Sequence, residues 1–392
     1  MAGLGEITVR LGVREGHVAA VRVANSRPLG AAGLLRGRTA AEALALVPLL
    51  FSLCGMAQKA AATEALVAAG ALADDPASRE ARARQVLAEQ VEAHAWTMLL
   101  AWPPLLGEKP RPDLLARVRA CARALRDAPS AAAEAALVAV LREVLLGPDG
   151  LPEAGDGWAA WAESAGTLAE RAVGVALADT RQMQARVPPL RKQGSTVLDQ
   201  GANAAGFEEK WAPAFAGESG GAGGKHNAFS APWFATCLAG DPHFVTGPTV
   251  AGTPREVGPI TRWWGSGRLP VVPEAVRLAA QLLELASLPA RIAEGDLRGM
   301  LDRHGDGQGT GCGVVQTSRG PLAHRVRLEG GRVAGWQIVA PTEWNFHPRS
   351  PALQGLVGQA AGPGLERRAA LLLAGLDACV PARLVVEEMA DA

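Results

Sequence analysis

Cysteine is the side chain in this sequence best suited to hold a soft metal, and five cysteines are spread along its 392 residues: Cys54, Cys121, Cys237, Cys312 and Cys379. No two of them form a C-x-x-C pair, so their spacing does not describe a disulfide framework, and a reducing compartment would leave them as thiols. Taken alone, Cys54 in LLFSLCGMAQKAAA and Cys379 in LDACVPARLV read as small buried hydrophobes, because free cysteine is among the most buried residue types. Cys121 and Cys237 carry the same reading. His304 and Cys312 could share a metal, although no paired ligand spacing accompanies them. His94, within a helix of mixed polarity, reads as a satisfied interior histidine.

Two glycine-rich stretches fail as ligand loops. GGAGGKH suggests a phosphate loop, but Ser219 stands where its first glycine belongs and His226 replaces the magnesium-binding hydroxyl. DRHGDGQGTGCG, from Asp302, has calcium-loop carboxylates, yet Gly313 falls where a bidentate glutamate is needed. That stretch reads instead as a turn leading into a strand.

The elements that must position such residues follow from patterning. Apolar residues alternate on both sides of Arg14-Glu15-Gly16-His17, which predicts an opening hairpin. Thr39-Ala40-Ala41-Glu42 is a capping box, and helical periodicity follows it to about Gly70, so Cys54 lies within or between helices. Helices are expected from Ala77 to Leu146 with breaks, from Trp158 to about Gln182, from Pro273 to Ala293 and from Gly364 to Ala378. Alternation returns between Gly313 and Val339 with Gly330-Gly331 as a turn. The chain reads as one α+β, mainly α domain over residues 1–392, with flexible loops near 147–157 and 216–225 and small β elements near both termini that build a common core.

Composition narrows the partners. Lys and Arg number 39 and Asp and Glu 39, which gives no electrostatic footprint for nucleic acid or an anionic membrane. Pro48 and Glu42 interrupt the longest weakly polar run, so a buried helix is expected there and membrane insertion is not. No basic stretch leading into an apolar one follows Met1, and the expected location is cytoplasmic.

Read in order, several fragments resemble the large subunit of nickel-iron hydrogenases. GTPREVGPITRWW, from Gly252, is similar to that family's G-x-P-x-E-x-G-P-x-A-R segment. VVQTSRGPLAHRVRLEGGRVAGWQIVAPTEWNFHPRS, from Val314, resembles E-A-P-R-G-x-L-x-H followed by P-T-T-W-N-x-S-P-R, with Arg319-Gly320, His324, Pro341-Thr342, Trp344 and Asn345 in place. The hairpin and GRTAAEALALVPLLFSLCG resemble the opening strands and the helix leading to R-x-C-G-x-C-x-x-x-H. LDACVPARLV resembles the D-P-C-x-x-C-x-x-H ending. The likeness covers both ends of the chain and is weak from about residue 100 to 245. It implies a hydrogenase-large-subunit-like helical core.

The departures are specific. Cys54 and Cys379 match the first cysteine of each motif, the pair that binds nickel alone in the family. Ala57 and Ala382 stand at the bridging cysteines, and Ser52, Ala61, Ala378 and Val385 replace the arginine, histidine, proline and second histidine. Two thiolates cannot form the four-sulfur cradle that clamps both metals. The resemblance also implies that Arg319 and Thr342 stand beside the two cyanides of the iron, where a guanidinium and a hydroxyl suit anionic acceptors in a dry pocket. Ser318, in place of proline, makes that wall more polar.

This combination resembles the hydrogenase accessory proteins of the HupK/HoxV type. It implies a non-catalytic scaffold in which Cys54 and Cys379 transiently bind the Fe(CN)2CO unit, with nickel not expected. The implied partners are iron-ligand assembly chaperones and a hydrogenase large-subunit precursor. The competing expectation is a metal-free structural subunit of a redox complex that has lost the nickel-iron site.

Overall fold

The computed structural model describes residues 5–27, 29–51, 54–186, 229–362 and 364–389, so the glycine-rich stretch near 216–225 lies outside the described residues. Strands β1 (Ile7–Arg14) and β2 (His17–Asn25) pair antiparallel through Glu15-Gly16, whose positive φ values of 50° and 73° suit the right-handed twist of a tight hairpin. Ile7, Val9, Leu11 and Val13 are buried, whereas Arg10 between them is exposed, as a half-buried strand requires.

Helix α1 (Ala40–Leu50) starts at the expected capping box: Glu42 N–H donates to the Thr39 hydroxyl, and Thr39 N–H donates to the Glu42 carboxylate at 2.8 Å. A short link carrying Cys54 leads into α2 (Gly55–Ala68). Helices α3 (Pro76–Trp96), α4 (Pro112–Asp127) and α5 (Ala131–Leu141) fill the zone read as helical. The single helix expected from Trp158 is two, α6 (Trp158–Glu163) and α7 (Leu168–Arg186). A second capping box ends the first and starts the next, with Thr167 N–H donating to Glu170 at 2.7 Å and Glu170 N–H returning to the Thr167 hydroxyl at 3.2 Å.

After α8 (Ala231–Gly240) and the short α9 (Pro259–Trp263) comes α10 (Pro273–Glu294). Leu278, Leu282, Leu285 and Ile292 of α10 are fully buried, and the helix packs against α3, α4, α5 and α7. Gly295 stops it in the left-handed conformation, φ +69°.

The second sheet is antiparallel in the order β3 (Leu301–Gly305), β4 (Thr310–Thr317), β5 (Gly320–Glu329), β6 (Arg332–Val339). The stretch from Asp302 reads in the sequence as a turn leading into a strand; its first residues, to Gly305, instead belong to the edge strand β3, and the turn is confined to Asp306–Gly309, where Asp306 accepts from Gln308 and Thr310 N–H. Helix α2 lies on β4 with almost no gap. A Cβ on Gly311 would come within 2.1 Å of the Ala65 carbonyl, and one on Gly313 within 2.3 Å of the Ala61 carbonyl. The alanines of α2 and the glycines of β4 together allow this approach.

Helices α11 (Pro341–Asn345), α12 (Pro351–Gln354) and α13 (Leu365–Leu376) lead to β7 (Ala382–Glu388). This last strand pairs in parallel with β1, Ile7 opposite Ala382 and Val13 opposite Glu388, so the two ends of the chain do build one sheet, in the order β2-β1-β7. Among the described residues no helix is long and apolar enough to cross a membrane.

Candidate metal centre

Three connections converge on one small cavity of about 20 Å³. The α1–α2 link supplies Cys54, the β4–β5 turn supplies Arg319, and the α13–β7 link supplies Cys379; all three line the cavity. Thr342, in the first turn of α11, lies beside it next to Cys379. All four residues singled out from the sequence are therefore brought together.

The two sulfurs are in hydrogen-bond contact and share protonation unequally. Cys379 is drawn down to about 5 by the hydrogen bond from Cys54, by the Arg319 guanidinium and by Thr342, against burial. Cys54 is pushed well up by that same contact and by burial. One thiol leaning on one thiolate is the arrangement these directions describe. The Thr342 hydroxyl is buried, near enough to Cys379 to ease its ionisation, yet makes no hydrogen bond of good geometry.

Arg319 is held from behind. Its Nε donates to the Asp377 carbonyl at 2.8 Å, its Nη2 to Asp377 Oδ1 at 3.3 Å, and Nε lies 3.0 Å from Asp377 Oδ2. Asp377 caps α13 in the left-handed region at φ +48° and also accepts from the Thr97 hydroxyl at 2.7 Å. A carboxylate so placed neutralises a guanidinium that would otherwise be a buried unpaired charge.

The GTPREVGPI segment supports the same arginine. A Cβ on Gly258 would meet the Arg319 carbonyl at 2.9 Å, Val257 N–H donates to Asn345 Oδ1 at 2.9 Å, and Glu256 forms a buried two-pronged pair with Arg277 at 2.7 and 2.6 Å.

Two cavity residues were not found from the sequence. Glu89 of α3 accepts from Met56 N–H at 2.8 Å and Ala57 N–H at 2.9 Å, capping α2 from another helix, and burial raises its carboxyl to about 7. Gln58, one turn after Cys54, donates from Nε2 to the Cys54 sulfur at 3.6 Å, and its Oε1 lies 2.7 Å from His324 Nε2. An i, i+4 spacing from a cysteine was the available signal for Gln58; Glu89 offered none, because its partners are 32 and 33 residues away.

His94 is buried, but neither ring nitrogen has a hydrogen-bond partner, so it is not the satisfied interior histidine expected. His304 and Cys312 face each other across β3 and β4, and no group of three or more His, Cys, Asp or Glu side chains able to hold a metal occurs among the described residues. Cys54, Cys121, Cys237 and Cys379 are half-buried rather than buried. Ala57 and Ala61 are both fully packed, so they are core residues of α2 as well as departures from the cysteine and histidine motif.

Comparison with known proteins places the chain in a family. Residues 273–359, which hold α10, the second sheet, Arg319 and Thr342, match the model of the nickel-dependent hydrogenase family. The hydrogenase expression/formation protein HupK of Azotobacter vinelandii is 32% identical over 388 residues, covering 97% of each chain. The chain belongs to this family of hydrogenase expression/formation proteins. HoxV of Cupriavidus necator, named likewise, is 30% identical over 405 residues and covers 96% of this chain and 94% of its own. The fold is that of hydrogenase large subunits: an NAD+-reducing NiFe-hydrogenase in its H2-reduced state superposes with a TM-score of 0.51 at 16% identity, covering 96% of this chain and 95% of the other.

Proposed function

We propose that this hydrogenase expression/formation protein is a non-catalytic scaffold that holds the Fe(CN)2CO unit transiently and passes it to a hydrogenase large-subunit precursor. The observation that carries the reading is the meeting of Cys54 and Cys379, from opposite ends of the sequence, in one cavity with Arg319 and beside Thr342. Two soft sulfurs suit iron, and both must give up their protons to bind it as thiolates.

Arg319 supplies positive charge to an anionic cyanide, and the buried, unpartnered Thr342 hydroxyl supplies an O–H donor. Asp377 keeps Arg319 fixed, and Glu89 fixes the start of α2 and with it Cys54. A cavity of about 20 Å³ holds roughly one water, so the walls must part to admit iron with three diatomic ligands. With two cysteines and no bridging pair, the unit is held by few bonds and can leave. The names of the relatives support a place in hydrogenase formation, and iron-ligand assembly chaperones are the donors this reading requires.

Infrared spectroscopy of protein purified from cells that express the cofactor-assembly machinery tests this. Cyanide and carbonyl stretches are expected in the wild type and absent from a Cys54→Ala Cys379→Ala variant. Wild-type protein without these bands, or bands that survive in the double variant, would sink the reading and favour a metal-free structural subunit.

A further inference from the structure

The side-chain amide that addresses Cys54 has its direction fixed by chemistry two residues away. Trp336 of β6 and His324 of β5 stand nearly edge to face, ring planes at 82°, and the indole Nε1 lies 3.2 Å from His324 Nδ1. An indole N–H can only donate, so Nδ1 must be the bare acceptor. In a neutral imidazole the proton then sits on Nε2, which is 2.7 Å from Gln58 Oε1. The oxygen of Gln58 is thereby assigned as acceptor, and its amide N–H2 is left facing the Cys54 sulfur at 3.6 Å. His324, Trp336 and Gln58 are all buried, at 0%, 7% and 3% exposure, so water offers no competing partners.

We propose that Gln58 is a positioning residue that tunes the grip of Cys54 on iron: locked by Trp336 and His324, its N–H withdraws electron density from the sulfur and eases release of the bound unit. This rests on the iron-carrying reading above. A hydrogen bond to a metal-bound thiolate competes with the metal for the sulfur's lone pairs, so its loss should strengthen the iron–sulfur bond and push more density onto the iron-bound carbonyl. A hydrogenase formation protein that must give its cargo away gains from a weakened ligand.

Nitrogen NMR of histidine-labelled, metal-free protein tests the lock, with the His324 signals assigned by His324→Gln. The expected result is a proton on Nε2 alone in the wild type and in Gln58→Met, and mixed tautomers in Trp336→Phe, which removes one N–H and leaves the core filled. A wild-type His324 protonated at Nδ1 overturns the proposal. On iron-loaded protein, Gln58→Met and Trp336→Phe should lower the carbonyl stretching frequency and slow release to an iron-free acceptor by about two- to tenfold, the range one hydrogen bond is worth. A carbonyl band unmoved in Gln58→Met overturns the role of Gln58 while leaving the scaffold reading intact. Wild-type protein with the expected His324 tautomer but without cyanide and carbonyl bands overturns the scaffold reading, and the release role with it, leaving only the locked amide.

Discussion

Buried imidazoles and buried carboxyls give this protein an uneven response to acid. Burial holds His94 down to about 4 and His324 to about 3, so the folded state takes up their protons less readily than the unfolded chain does. Their contribution to stability is whole above the ordinary imidazole value of about 6.5 and is lost as pH falls from there towards 4 and 3. Glu89 works in the opposite sense: its carboxyl, raised to about 7, adds stability that is whole below the ordinary carboxyl range and is lost as pH rises through 7. Between pH 6.5 and the ordinary carboxyl range His94 and His324 each weigh ~1.4 kcal/mol per pH unit, and Glu89 opposes them by a similar slope. Replacing His324 by glutamine should therefore flatten the dependence of unfolding free energy on pH between 6.5 and 5 by about that slope, measured by urea titration. An unchanged slope would mean that His324 is not held neutral.

The contact between helix and sheet that sets Cys54 in place depends on missing side chains. The Cβ of a Gly313→Ala variant would fall 2.3 Å from the Ala61 carbonyl and 2.5 Å from the Ala65 nitrogen, both backbone atoms of α2, so the helix itself must move. Overpacking of this kind costs about 1–3 kcal/mol, whereas Gly240→Ala, with open space around it, should stay within about 0.5 kcal/mol. Because Cys54 stands at the start of the displaced helix, Gly313→Ala should also weaken iron retention, and Gly240→Ala should not. Much at this scale was legible: the capping box at Thr39 and the Glu15-Gly16 hairpin stand where local pattern puts them. The break at Thr167 was missed although it too is a capping box, because alanine-rich sequence on both sides kept the helical period running. Strand β7 was missed because ARLVVEE is short, charged at its ends and made a strand by pairing with residues more than 370 positions away.

Over the whole molecule, the cavity was legible in its cysteines, arginine and threonine through ordered motifs, and illegible where partners come from unrelated elements. Glu89 and the Gln58–His324–Trp336 chain exist only once α2, α3, β5 and β6 are packed together; the spacing of Gln58 from Cys54 and the motif place of His324 were visible in the sequence, but their link to each other, to Trp336 and to Glu89 was not. The two sulfurs in turn depend on the sheet that joins the ends. Leu384 of β7, in register with Val9 of β1, is half-buried against the apolar cluster that holds Ile7, Val9 and Leu11. A Leu384→Asp variant should lose about 2–4 kcal/mol of stability, seen in the thermal midpoint, and should lose the iron-bound carbonyl band although every cavity residue is unchanged. Retention of that band would show that β7 is not needed to seat Cys379.

The parallel pairing of β7 with β1 also orders events in time. A ribosome delivers Cys54 early and then must add every residue through Cys379, and the strand after it, before a second sulfur can reach the first. At about 5–20 residues per second this interval is on the order of tens of seconds. Throughout it the edge of β1 that takes β7 stays unpaired, and Cys54 stands without the second sulfur of its cavity. On the iron-carrying reading, the two-sulfur site exists only after β7 has been made and paired with β1, so strand order delays loading until then.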